Sequence, residues 1–117
     1  MKNLTQFQDI KRQAVEAAEI AVASQFPIKQ NATFAEEGPC GFAWVTITNG
    51  RTAFAKFAKE HLGAHKNYGG KGYNIWYSNL YNTRGNQSEH RHIIACEAAA
   101  NVFWSYGIEC KVGSRLD

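Results

Sequence analysis

Little in this chain can staple it, kink it or anchor it in a lipid bilayer. Its 117 residues include three cysteines and two prolines. An odd number of cysteines at wide spacing, Cys40, Cys96 and Cys110, makes no disulfide framework and predicts small buried hydrophobes in a reducing compartment. No apolar run approaches the ~20 residues that a membrane-spanning helix needs. The opening residues MKNLTQ carry one charge and then polar side chains, which predicts no secretory leader and a cytoplasmic protein. Charge of one sign is scarce as well: 13 Lys and Arg face 10 Asp and Glu, a formal +3. That helps recruit phosphates but falls short of the density that alone argues for nucleic acid. Repeats and low-complexity tracts are absent, and the length predicts one domain, 1–117, with one core.

Three helical patterns and a set of short strands fill that length. Phe7, Ile10, Ala14, Ala17, Ala18, Ala21 and Val22 recur at helical spacing, with Thr5 and Gln8 as a capping box and Pro27 as the stop. Residues 28–35 read as a strand and 36–41 as a turn. Residues 41–48, GFAWVTIT, read as a central strand, because Phe42/Trp44/Thr46 and Ala43/Val45/Ile47 make both faces largely apolar. A helix over about 51–62 follows, with Gly63 as its C-cap. Residues 73–78 form a strand with Tyr73, Ile75 and Tyr77 on one side and Asn74, Trp76 and Ser78 on the other. The polar stretch 80–88 is a loop. A third helix begins near Gln87, signalled by Asn86 and Glu89, carries Cys96, Ala99, Ala100 and Phe103 as its stripe, and ends at Gly107. Ile108, Cys110 and Val112 alternate in a last strand. The order α-(β)-β-α-β-α-β predicts an α+β fold, a three- to five-stranded sheet packed by three helices on one or both faces. The small size and 15 aromatics suggest that a second subunit completes one face.

The run HKNYGGKGYNIWYS, residues 65–78, concentrates glycine, lysine and aromatic residues. Glycines let backbone N–H groups approach an anion, and Lys66 and Lys71 add charge. It is not a Walker loop, since Gly-Lys is followed by glycine and then by a strand. A plain turn with solvated lysines fits the same residues. Trp76 is placed either to stack a base or to fill a core. Arg84, Asn86 and Arg91 lie around the start of the third helix, whose first amides make an anion site. With Arg51, Tyr68 and Arg115 they complete a ligand-binding set able to stack a base and hold phosphates; Arg115 also reads as part of a frayed tail. His61/His65 and His92/Cys96 are each four apart, but no second ligand pair at zinc spacing exists, and no metal or other cofactor is expected. His61 and His92 read as residues at the boundary between core and surface. No nucleophile motif surrounds any cysteine, and the paired carboxylates Glu36-Glu37 fall in a turn, so no catalytic residue is assigned and no enzyme is expected.

The runs GFAWV and YGGKGYNIW, an alanine-rich helix, Gly-Ile and a terminal SRLD together resemble, over residues 41–117, small phage-encoded proteins of the anti-Thoeris sponge type (Thoeris anti-defence family 1). That resemblance implies a non-enzymatic, cytoplasmic homo-oligomer, dimer or hexamer, that sequesters a bacterial immune signal in pockets at subunit contacts. The implied ligands are glycocyclic ADP-ribose and cyclic oligonucleotides. The implied pocket uses an aromatic platform, arginines and an asparagine, for which Trp76, Arg51 and Asn86 are the counterparts by order along the chain. Two other readings compete with the signal sponge. One is a protein–protein inhibitor of a defence nuclease or CRISPR effector, anchored by Tyr68, Tyr73 and Tyr81. The other is a single-stranded nucleic-acid-binding protein using the same aromatic and lysine surface.

Overall fold

Strand alternation organises the molecule, described here from a computed structural model of residues 3–26 and 38–117. The strand expected over 28–35 lies outside the described residues. Strand β1 (Gly41–Ile47) buries Ala43, Val45 and Ile47 on one face, leaving Phe42, Trp44 and Thr46 on the other. It runs antiparallel between β3 (Tyr73–Trp76) and β4 (Cys110–Leu116), and β2 (His65–Lys66) completes the sheet outside β3. The sheet has four strands in the order β2-β3-β1-β4, with every neighbouring pair antiparallel. With α2 (Ala53–His61) between β1 and β2, and α3 (Glu89–Ser105) between β3 and β4, this is the split β-α-β connectivity of ferredoxin-like folds. An additional helix, α1 (Leu4–Gln25), precedes it. The fold is α+β, as expected.

The three described α-helices lie on one face of the sheet. Phe7, Ile10 and Ala14 of α1, Phe54 and Phe57 of α2, and Ala99 and Phe103 of α3 share one core with Ala43, Val45, Ile47 and Ile75 of the strands. Phe7 meets Phe54 edge-on at 5.3 Å between ring centroids, and Phe54 lies 5.4 Å from Phe103. Each fully buried aromatic of this kind contributes roughly 1.5–3 kcal/mol by leaving water. The α1–α3 pair makes the most extensive contact between helices, because Ala14 and Ala18 on one and Ala95 and Ala99 on the other let the backbones approach. Lys11 Nζ donates to the His61 carbonyl at 3.0 Å, tying α1 to the end of α2 where unpaired carbonyls favour a cation.

Several local expectations are corrected. Helix α1 begins at Leu4 after Asn3, with no side-chain cap, so Thr5 lies inside the first turn rather than capping it. The cap of α3 is Ser88, whose Oγ accepts from the Arg91 amide at 3.3 Å, and Asn86 Oδ1 instead accepts from Ser88 N at 2.8 Å. Strand β3 stops at Trp76 and a 3₁₀ turn takes Tyr77–Asn79. Leu80 and Tyr81, expected in a polar loop, are buried, so Tyr81 is no surface anchor. His92 is fully buried instead of sitting at a boundary: Tyr77 stacks on it at 3.7 Å and Tyr81 Oη bonds its Nδ1. The final strand runs on through Leu116, so Arg115 sits in the sheet and not in a frayed tail.

Candidate functional site

Residues directly opposite one another in an antiparallel pair share a face. Phe42 is opposite Arg115, Trp44 is opposite both Gly113 and Trp76, and Thr46 is opposite both Lys111 and Asn74. Asn74 in turn is opposite His65. These residues therefore form the sheet face turned away from the helices, and no described helix packs on it. The indoles of Trp44 and Trp76, on the two central strands, lie parallel within 4° at 5.7 Å between centroids. Phe42 sits 5.5 Å from Trp76 at 34°, and the Arg115 guanidinium lies 5.3 Å from the Phe42 ring centre. The result is an aromatic platform three rings wide with an arginine at one side.

Gly113 makes that platform possible. A Cβ added there would stand 2.6 Å from the Trp44 indole, so the missing side chain lets the ring lie over β4. Below the platform, Thr46 Oγ1 donates to Asn74 Oδ1 at 2.7 Å. This bond fixes the Asn74 amide, and among the described residues nothing bonds its Nδ2, which leaves a donor for the edge of a base.

The hairpin joining β2 and β3 forms one wall. Its turn is braced internally by Asn67, whose Oδ1 accepts from Gly69 N at 3.2 Å and whose Nδ2 donates to the Lys71 carbonyl at 3.1 Å. Gly70 N donates to the Asn67 carbonyl at 3.3 Å. Of the two readings of this stretch, the plain turn accounts for the amides of Gly69 and Gly70, which are both spent on Asn67, and Lys66 is the hairpin lysine at the platform. Gly72 (φ +90°) packs so tightly on β1 that a Cβ would meet the Ile47 carbonyl oxygen at 2.0 Å, which pins the hairpin to the sheet. Between hairpin and platform lies a depression of about 410 Å³, bounded by Trp44, Trp76, His65, Lys66, Tyr68 and Arg115. Tyr68 is 88% exposed at its rim, with Lys66 Nζ 5.8 Å from its ring centre.

The nine residues expected to bind ligand fall in three places. Lys66, Tyr68, Trp76 and Arg115 meet at this depression, while Arg51 and Lys71 line a wider cleft that Lys66 also borders. Arg84, Asn86 and Arg91 do not join them. Arg84 pairs with Glu19 of α1 at 3.3 Å, Arg91 lies over the Phe26 ring at 4.8 Å, and Asn86 serves the start of α3. The anion site expected at that helix start is occupied from within the chain, since Glu89 N donates to the Pro39 carbonyl at 3.0 Å and Ser88 caps Arg91 N. Phe42, Trp44, His65, Asn74 and Lys111 were not foreseen as site residues. The signal for Phe42 and Trp44 was present in the alternation of residues 42–46, where a Trp and a Phe share a face with a threonine.

Of the described cysteines, Cys96 and Cys110 are buried, and burial pushes their thiols up to about 12 and about 11, which disfavours thiolate chemistry. Among the described residues no group of three His, Cys, Asp or Glu side chains is arranged to hold a metal. No described helix is long and apolar enough to cross a membrane. No protein-family model, curated protein or solved structure matches the chain.

Proposed function

We propose that the protein is a non-enzymatic binder of single-stranded nucleic acid that stacks bases on the Trp44–Trp76–Phe42 platform. One observation carries this reading: parallel indoles on the two central strands of an antiparallel four-stranded sheet, on the face away from the helices. One class of RNA-recognition domain stacks two or three bases on aromatics of a four-stranded sheet, and this platform offers the same chemistry. Stacking is worth roughly 1–3 kcal/mol per base and tolerates any sequence, because every base has a π-face. Arg115 beside Phe42 and Lys66 beside Tyr68 supply charge for the phosphates, and Asn74 supplies a base-edge donor.

The test is tryptophan fluorescence in a Trp104→Phe background, which removes the half-exposed indole on the helical side. Oligothymidylate should quench the remaining emission saturably, and the affinity should fall with salt. A flat titration at low salt would sink the reading.

A second reading keeps the chemistry but closes the site. In it the protein is a phage-encoded sponge in the host cytoplasm that holds glycocyclic ADP-ribose or a cyclic oligonucleotide unaltered between the platform and a second copy of the chain. What favours it is the depression of about 410 Å³ under Tyr68, within the size range of small-ligand sites. The same titration discriminates the two. Tight, salt-insensitive binding of a cyclic nucleotide, with indifference to linear oligothymidylate, selects the sponge.

A further inference from the structure

The cations of this molecule are not evenly used. On the helical side Arg12 bonds Asp9 and Glu16, Arg84 bonds Glu19, and Lys11 bonds a helix-end carbonyl. Beyond the hairpin, Arg51, Lys71 and Lys111 make no ion pair among the described residues. With Lys66 they border a cleft of about 1030 Å³ at the end of the sheet where β1 leads into α2. Glu109 is the carboxylate bordering it, and it lies within 4.0 Å of none of these cations. Lys66 borders both this cleft and the depression at the platform, so the two form one surface.

We infer that the cleft is the path of the sugar-phosphate backbone, carrying a single strand onward after its bases leave the platform. The inference rests on the nucleic-acid reading above and extends it, since it makes the site longer than the platform. The chemistry is complementary. The cleft offers positive charge that no carboxylate pairs within 4.0 Å among the described residues, together with the small residues Gly50, Gly70 and Gly72, and presents the ring of Tyr73 with Lys59 Nζ 4.5 Å from its centre. Phosphates need cations and room; bases need rings. The platform supplies the rings and the cleft supplies the charge.

The experiment compares a thymidine trinucleotide with a nonanucleotide against the wild type, the double variant Arg51→Gln/Lys71→Gln, and Trp44→Ala. Arg51 and Lys71 are exposed, so their substitution leaves the fold intact. The wild type should bind the nonanucleotide at least tenfold tighter than the trinucleotide. The double variant should lose that advantage while binding the trinucleotide as before, and its log–log salt slope for the nonanucleotide should shrink by about 0.7 per cation removed. Equal affinity for both lengths in the wild type, or equal weakening of both in the double variant, overturns the cleft and leaves the platform standing. Trinucleotide binding that ignores Trp44→Ala overturns the platform, and a length advantage that still depends on Arg51 and Lys71 then supports the cleft by itself. If neither oligonucleotide binds, both readings fall.

Discussion

The two faces of the sheet are built from similar residues and put to different use. On the helical face Phe54, Phe57 and Phe103 touch other rings on several sides and are at most 3% exposed. On the opposite face Phe42 and Trp44 each touch Trp76, and all three remain partly exposed. Charges follow a similar division: Arg12 and Arg84 on the helical side are engaged by carboxylates, and Arg115 beside the platform and Arg51 in the cleft make no ion pair among the described residues. Contacts spent inside the chain stabilise the fold, and contacts left unspent are available to a ligand. Substituting one side should therefore disturb stability, and substituting the other should disturb binding.

The largest effect is expected from Phe57→Ala. It empties a site lined by Phe7 and Phe54 and should cost about 3–5 kcal/mol in urea unfolding, close to the whole stability of a small domain. A loss below about 1 kcal/mol would mean that the helical face is not the core.

Next comes acid. Burial, reinforced by neighbouring Arg91, holds the His92 imidazole down to about 4, against an unfolded value near 6.5. The unfolded chain thus takes up a proton that the folded chain refuses, so stability is full above pH 6.5 and declines as pH falls towards 4. The contribution is on the order of 3 kcal/mol, and His92→Phe should flatten that part of the pH–stability profile. An unchanged profile in the variant would place the acid sensitivity elsewhere.

On the platform, Trp44→Ala and Trp76→Ala should each weaken oligothymidylate binding by about 1–3 kcal/mol, roughly five- to 150-fold. Their melting temperatures should move less than that of Phe57→Ala, because partly exposed rings lose less on truncation than fully buried ones. If a tryptophan variant unfolds as readily as Phe57→Ala, the two faces are not distinct. Gly113→Ala sharpens the point further. Its methyl group would collide with the Trp44 indole, tilt it, and weaken binding severalfold with the strand intact. The smallest effect belongs to Arg84→Ala, which breaks an exposed pair with Glu19; it should cost under about 1 kcal/mol and leave binding unchanged.

Much of this division could be read beforehand, although not the part that makes the site. The alternation in residues 41–47 correctly separated Ala43, Val45 and Ile47 from Phe42, Trp44 and Thr46, and the stripe Cys96, Ala99, Ala100, Phe103 is buried as its spacing required. Gly63 and Gly107 end their helices with positive φ, as a C-terminal glycine does. Trp76 was placed on the correct side of its strand. Trp44 was passed over because a strand apolar on both faces reads as doubly covered, and a platform gives the same pattern. Arg84 and Arg91 were misplaced for the opposite reason. Their partners, Glu19 and Phe26, lie more than sixty residues away in sequence, beyond the reach of any local signal. Tyr81 and His92 bury polar atoms that composition assigns to the surface; Tyr81 Oη and His92 Nδ1 bond each other, while His92 Nε2 is buried with no partner among the described residues.

The amino-acid sequence by itself determined the described helices, the central strand with its two faces, and the glycine stops at Gly63 and Gly107, since these depend on periodicity and backbone chemistry within a few residues; it did not reveal β2, whose two residues carry no periodicity of their own. The tertiary structure alone decided that the three described α-helices gather on one face. That choice depends on where apolar stripes distant in the chain meet, with the alanines of α1 against those of α3 and Phe7 against Phe54 and Phe57. Once the helices cover Ala43, Val45 and Ile47, the strand geometry turns Phe42, Trp44 and Trp76 the other way. The same packing sets Arg51, Lys71 and Lys111 around a single cleft.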